Sequence, residues 1–137
     1  MKKLIISGLR TCDRKDIVSI EISKYINEIG GVDEMISGGM EGVEQYAKEY
    51  ASEHEIKHVE FLPDWQSHIN AAAFIRDARM AEYGTHLLVL SNGISKESLN
   101  LLSEARKNRL TIKTVGVFKN IPEPDTRYAG AYPGTFF

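Results

Sequence analysis

The segment Ser37-Gly38-Gly39-Met40-Glu41-Gly42 holds three glycines within five residues. Glycine permits positive φ and lets a backbone approach a ligand closely, and a helix starting just after such a loop offers free N–H groups and the positive end of its dipole. Phosphate or another anion is the ligand such a loop suits. The loop is neither the GxGxxG dinucleotide fingerprint nor a P-loop, which ends in Lys-Ser/Thr. A second reading stands beside this one, in which the glycines serve only a tight turn between strand and helix. Glu41 and Glu44 compete with an anion for the same dipole, or act as ordinary stabilisers of a first helical turn.

Further on, Arg76 and Arg79 are three residues apart and share a helical face. They either reach an anionic ligand or form solvated ion pairs. An anion contact from Arg76 predicts that Arg76→Ala weakens ligand binding and leaves the domain folded. Trp65 either stacks on a base or ribose or caps the core beside Pro63. His54, His58, His68 and His86 show no zinc spacing, and satisfied or surface histidines account for them. Cys12 has no neighbouring histidine in sequence to activate it, so a small residue near the pocket is its reading, and no metal site is expected.

The elements that must position these residues follow from periodicity. Short apolar runs at Lys3 to Ser7, Glu34 to Ser37, His58 to Leu62, His86 to Ser91 and Ile112 to Val117 alternate with segments of helical spacing. That alternation predicts βα units and a mainly parallel five-stranded sheet flanked by helices, a small single-domain Rossmann-like α/β fold. The runs are continuous rather than alternating, as strands covered on both faces require. Asp13 is placed to cap a first helix striped by Val18, Ile22, Tyr25, Ile26 and Ile29 and stopped by Gly30 and Gly31. Further helices are expected over Val43 to His54, Asn70 to Tyr83 closed by Gly84, and Ser95 to Asn108 with Leu99, Leu102 and Arg106 on one line. In such a sheet ligands bind beyond the carboxyl ends of the strands. Four strand ends would there bring together SGLRT, SGGMEG, PDW and SNGISKES.

The chain of 137 residues is one domain's length, and its 42% hydrophobic and 26% charged residues are ordinary globular usage. The formal charge of −2 lacks the basic excess of a phosphate-backbone binder, so nucleic acid is not the expected partner. A lone cysteine forms no internal disulfide, no apolar stretch is long enough to span a membrane, and the run Leu4 to Ile6 is too short for a signal-peptide core. A cytoplasmic location is expected. Residues 1–117 form the expected ligand-binding domain, and residues 118–137 an irregular tail with Pro122, Pro124, Pro133, Tyr128, Tyr132, Phe136 and Phe137. A tail so aromatic is expected to dock on its own domain or on a neighbouring subunit, and a homo-oligomer is expected because a small domain gains from burial across a symmetric interface.

The ordered series SGLRT, ISGGMEG, FLPDWQSH, AAAFIRDARM and SNGIS, from about Lys3 to Val117, resembles the YspA-like branch of the SLOG superfamily. These are relatives of the DprA and LOG proteins, met in phages and bacteria. The resemblance implies a Rossmann-like fold that binds a nucleotide or nucleotide-derived molecule. It sets the family's first turn on Gly8, Leu9 and Arg10, its glycine loop on Gly38, Gly39 and Gly42, its Arg-Asn pair on Arg76 and Asp77, and its last loop on Gly93, Ser95, Glu97 and Ser98. Leu9 stands for a serine, Asp77 for an asparagine, Glu97 for a glycine, and Glu41 where a basic residue is common. SNGISKESLN has no match for the acidic pair of LOG-type hydrolases.

The expected ligand-binding set is therefore Gly8, Arg10, Gly38, Gly39, Gly42, Trp65, Arg76, Asp77, Gly93, Ser95 and Ser98. Its expected function is sensing or sequestering a nucleotide-derived small molecule. The alternatives are a hydrolase cutting an N-glycosidic or phosphoester bond, with Glu41, Glu97 or Asp77 as acid or base, and a DprA-like nucleic-acid or assembly module.

Overall fold

A computed structural model describes residues 1–67, 71–93 and 98–118. In chain order the elements are β1 (Lys3–Gly8), α1 (Lys15–Ile29), β2 (Glu34–Ser37), α2 (Val43–Glu53), β3 (Lys57–Glu60), α3 (Ala72–Tyr83), β4 (His86–Leu90), α4 (Leu99–Lys107) and β5 (Thr111–Val115). The five strands form one sheet in the order β3-β2-β1-β4-β5, and every neighbouring pair is parallel. In register, Ile5 of β1 lies between Ile36 of β2 and Leu87 of β4.

The continuous apolar runs serve two cores because successive side chains in a strand point to opposite faces. Leu4, Ile6, Met35, Leu88 and Leu90 pack with Val18, Ile22 and Tyr25 of α1 and with Val43, Ala47, Tyr50 and Ala51 of α2. Their strand neighbours Ile5, Ile36, Leu87 and Val89 pack with Met80 of α3 and with Leu101, Leu102 and Ala105 of α4. Full burial of each such leucine or isoleucine contributes about 1.5–3 kcal/mol relative to exposure, which is what fixes strand register here.

Three local expectations are corrected. Asp13 does not cap α1: the N-cap position is Arg14, with no side-chain cap bond, while Arg14 instead pairs with Asp16 at 2.9 Å. Gly30 does stop that helix, in the left-handed conformation at φ 81°. The fourth helix is turned relative to its expected stripe, burying Leu101, Leu102 and Ala105 while Leu99 is 60% exposed. It begins at Leu99, with Ser98 as N-cap, and Ser95 lies outside the described residues. Phe118, expected to begin the tail, belongs to the core on the α1 face and donates its N–H to the Ser91 carbonyl at 3.0 Å. The rest of the tail, 119–137, lies outside the described residues. Among the described residues, no helix is long and apolar enough to cross a membrane.

Strand order turns back between β1 and β4: the chain builds outward from β1 through β2 to β3, then crosses to the other side of β1. That switch point leaves a crevice at the carboxyl ends of β1 and β4, because their following loops leave toward opposite faces of the sheet.

Candidate functional site

The first turn is built by close backbone packing. Gly8 ends β1 where any β-carbon would overlap the Leu90 carbonyl oxygen and lie 2.9 Å from a methyl of Val43. The Leu9 N–H bonds to the Leu90 carbonyl at 3.2 Å, and the Leu9 carbonyl accepts the Val43 N–H at 3.0 Å. Gly42, at φ 71°, packs so tightly on this turn that a β-carbon would overlap the Leu9 carbonyl and lie 2.6 Å from that of Arg10. Gly8 and Gly42 are thus required by geometry, and the first N–H of α2 is taken by the protein itself. Arg10 leaves the same turn half-buried.

On the β2 side a buried polar network fills the glycine loop from beneath. Glu44, in the first turn of α2, curls back so that its Oε1 accepts the N–H groups of Gly38 at 2.8 Å and Met40 at 3.3 Å. Arg76, reaching from α3, donates from Nη1 to the Gly38 carbonyl at 2.7 Å and from Nε to Asp77 Oδ1 at 2.8 Å. Asp77 is held in turn by Asn100 of α4, whose Nδ2 donates to Oδ2 at 3.0 Å. A β-carbon on Gly38 would overlap the Arg76 guanidinium and lie 3.0 Å from Glu44 Oε1. Burial raises the Glu44 carboxyl to about 7, against the pull of Arg76 and of the two N–H groups. Burial likewise raises Asp77, opposed by Arg76 and Asn100.

Across the switch point, the Ser7 and Ser98 hydroxyls share a buried hydrogen bond of 3.0 Å that joins the end of β1 to the start of α4. The loop after β4 starts with the Gly93 N–H on the Ser91 hydroxyl at 3.1 Å. Gly93 has φ 101°, and among the described residues nothing lies within 4 Å of the place its β-carbon would occupy. Here glycine is needed for backbone conformation with open space above it, unlike Gly8, Gly38 and Gly42.

The expected residues therefore fall into two groups. Gly8, Arg10 and Gly42 lie on the first turn and the start of α2, with Gly93 and Ser98 on the β4 side of the switch point. Gly38, Gly39, Arg76 and Asp77 lie toward β3. Gly39 has φ 78°, and a β-carbon there would overlap the Leu62 side chain. Trp65 is half-buried in the β3–α3 connection, beside an Asp64 whose Oδ1 accepts the Ser67 N–H at 3.1 Å. In that region Phe61, Asp64, Arg76 and Arg79 border a cavity of about 40 Å³, room for a water molecule or so and far below the roughly 300 Å³ of a small-molecule site. Arg76 is 6% exposed and tied to its own chain, so Arg76→Ala removes structural bonds as well as any ligand contact.

Residues outside the expected set carry part of this architecture. Glu44 is the internal hydrogen-bond acceptor of the glycine loop. Its position two residues after the last glycine was the available signal, but the sequence gives no sign that the loop curls back over it. Asn100 and Ser7 complete the two hydrogen-bonded links. His58 Nε2 meets the Ser37 hydroxyl at 2.9 Å, and burial lowers the His58 pKa. Cys12 is buried and its thiol pKa is raised by that burial, the opposite of an activated thiolate. Among the described residues, no group of three His, Cys, Asp or Glu side chains is arranged to hold a metal ion.

An all-parallel β3-β2-β1-β4-β5 sheet between two pairs of helices, with its polar clusters at the strand carboxyl ends, defines a Rossmann-like α/β domain. Residues 2–68, from β1 into the β3–α3 connection, match the model of the family described as YspA, cpYpsA-related SLOG, a match over just under half of the chain that supports a YspA-like SLOG assignment. No curated protein and no solved structure matches the chain. Similarity to that family suggests nucleotide-related binding or modification at a general level.

Proposed function

We propose that this protein binds a nucleotide-derived small molecule in the crevice at the β1–β4 switch point and holds it without chemical change. The observation that carries this reading is the contrast among the glycines. The amides of Gly38, Met40 and Val43, which an anion would seek at a glycine loop, already serve Glu44 and Leu9. Gly93 has a positive φ and, among the described residues, nothing within 4 Å of where its β-carbon would lie, so we place the anionic end of the ligand at the fourth loop, with Ser95 as a hydroxyl donor and Ser98, whose hydroxyl is bonded to Ser7, at its base. Arg10 supplies charge from the first turn and Trp65 an apolar wall. Gly38, Gly39, Arg76 and Asp77 shape and hold the β2 side, while Gly8 and Gly42 set the turn.

The test is a thermal-shift screen of purified protein against nucleotides, NAD, ADP-ribose and cyclic nucleotides. A ligand at about 100 times its Kd adds roughly 2.7 kcal/mol of stability, a readily measured rise in Tm. A shift with one compound class that is lost in Arg10→Ala or Gly93→Val supports the crevice; no shift with any compound overturns it.

A second reading is favoured by one observation, the pair of buried carboxyl groups with raised pKa values, Glu44 and Asp77, beside Arg76. Such groups are suited to acid–base catalysis, and would serve hydrolysis of an N-glycosidic or phosphoester bond. Product formation from the same ligand panel, lost in Glu44→Gln, separates this reading from simple binding.

A further inference from the structure

The loop between β2 and α2 has the sequence of an anion site and an interior that is already filled. It turns the N–H groups of Gly38 and Met40 toward one acceptor, Oε1 of Glu44, at 2.8 and 3.3 Å. That is the place a phosphate oxygen takes at a glycine loop, on free backbone N–H groups where a helix begins. Glu44 is 8% exposed, so this acceptor belongs to the protein interior. Oε1 fills the position whether or not the carboxyl carries a proton, because a protonated carboxyl keeps a free acceptor oxygen.

The room a phosphate needs is taken as well. A β-carbon on Gly38 would overlap the Arg76 guanidinium and lie 3.0 Å from Glu44 Oε1, and one on Gly39 would overlap the Leu62 side chain and lie 3.5 Å from Glu60 Oε2. Charge acts in the same direction. Arg76 is engaged by the Gly38 carbonyl and by Asp77, Lys48 pairs with Glu60 at 3.5 Å, and Glu41 stands in the loop itself. An anion brought here meets carboxyl groups whose partner cations are already committed, and like charges placed together away from water repel strongly. At Gly93, by contrast, nothing among the described residues lies within 4 Å of the β-carbon position.

We propose that Glu44 is a specificity-determining residue, which holds the anion position of the β2 loop and closes it to phosphate. The crevice then accepts a ligand with one anionic end, such as a nucleoside monophosphate, and rejects one with a second phosphate set apart from the first and directed at β2. The ligand class rests on the placement of the anionic end at the fourth loop. The part of the ligand facing β2 is uncharged, as a base or a ribose is.

The first arm of the test titrates the full chain with inorganic phosphate at mildly alkaline pH and follows backbone amides in proton–nitrogen correlation spectra. In the natural chain the Gly38 and Met40 amides are expected to stay in place. In Glu44→Ala both are released beside Arg76 and are expected to shift saturably, with an affinity roughly tenfold or more above that of the natural chain. Where the alanine variant does not fold, Glu44→Ser, which leaves a hydroxyl to the buried cluster, carries the same expectation. A saturable shift of these amides in the natural chain overturns the proposal, and so does no shift in either chain, which would assign the closure to packing alone.

The second arm extends the thermal-shift panel with nucleoside bisphosphates whose phosphates sit on separate ribose hydroxyls. The natural chain is expected to respond to a monophosphate and no more strongly to its bisphosphate, while Glu44→Ala gains response to the bisphosphate. A larger shift of the natural chain with the bisphosphate overturns the ligand class and leaves the crevice standing. No shift with any compound overturns the crevice and the ligand class together, and the phosphate titration then decides the role of Glu44 by itself.

Discussion

Arg76 on α3 donates from Nη1 to the carbonyl oxygen of Gly38 at 2.7 Å, so the helix after the third strand holds the loop after the second. This single bond joins two regions that sequence distance separates by 38 residues, and it is made inside the protein rather than to solvent. Arg76 also neutralises Asp77 and lies close to Glu44, two buried carboxyl groups. Removing one member of such a network leaves the others buried and uncompensated. Arg76→Ala is therefore expected to lower stability by about 3–5 kcal/mol, read from urea unfolding. Arg76→Lys, which keeps the charge but loses the planar fork, is expected to fall between the two. An alanine variant as stable as the natural chain contradicts the network.

The glycines should rank by what surrounds them. Of Gly8, Gly38 and Gly93, Gly8→Ala meets the backbone oxygen of Leu90, which is held in the sheet, and is expected to be the most damaging of the three, at about 3 kcal/mol or more. Gly38→Ala meets the movable end of Arg76 and should cost about 1–3 kcal/mol while displacing the guanidinium. Gly93→Ala meets open space and pays only for its positive φ, about 1 kcal/mol. Thermal unfolding of the three variants checks the order.

The pH dependence of stability has a sign fixed by Glu44. Burial raises this carboxyl from the ordinary 4.5 to about 7, so the folded state holds the proton more tightly than the unfolded chain. The contribution is full below about 4.5, declines as pH rises through the window and is gone above about 7, a change of up to about 3 kcal/mol. Asp77, raised by burial as well, acts in the same direction, while His58 and His86, lowered by burial, act oppositely. Comparison with Glu44→Gln isolates the glutamate, since the amide oxygen still accepts from Gly38 and Met40. Urea unfolding at pH 5 and pH 8 is expected to show the natural chain losing more stability between these pH values than the variant does. Equal changes in both would place the Glu44 titration outside this window.

Ser7 and Ser98 test the link across the switch point. Each hydroxyl satisfies the other in a buried site, so either single alanine leaves one unpaired and should cost about 1–3 kcal/mol. The double alanine variant removes both polar groups and is expected to cost less than the sum of the singles, a coupling visible in a double-mutant cycle. Strict additivity would mean the hydroxyls do not interact.

The parallel α/β architecture was legible because its signals are local and repeated. Five apolar runs, each followed by helical spacing, leave little choice but βα units, and Gly30 stops α1 as its type and position imply. Helix starts were less legible: Asp13 has the right chemistry for a cap, yet Arg14 occupies that position, because packing of Val18, Ile22 and Tyr25 sets where α1 begins. The turn of α4 was likewise set by its neighbours, which bury Leu101 rather than Leu99.

At the candidate site the sequence determined which chemical groups gather at the strand carboxyl ends, since βα order alone carries the loops containing Gly8, Gly38 and Gly93 there. Their tasks were decided only by tertiary structure. Gly38 and Gly93 read alike in sequence, but one is pressed against Arg76 and the other faces open space. Glu44, by sequence a helix-end carboxylate, becomes a buried partner of backbone amides because the loop folds over it. A residue's type fixes the bonds it is able to make, and long-range packing fixes which of them remain open to a ligand.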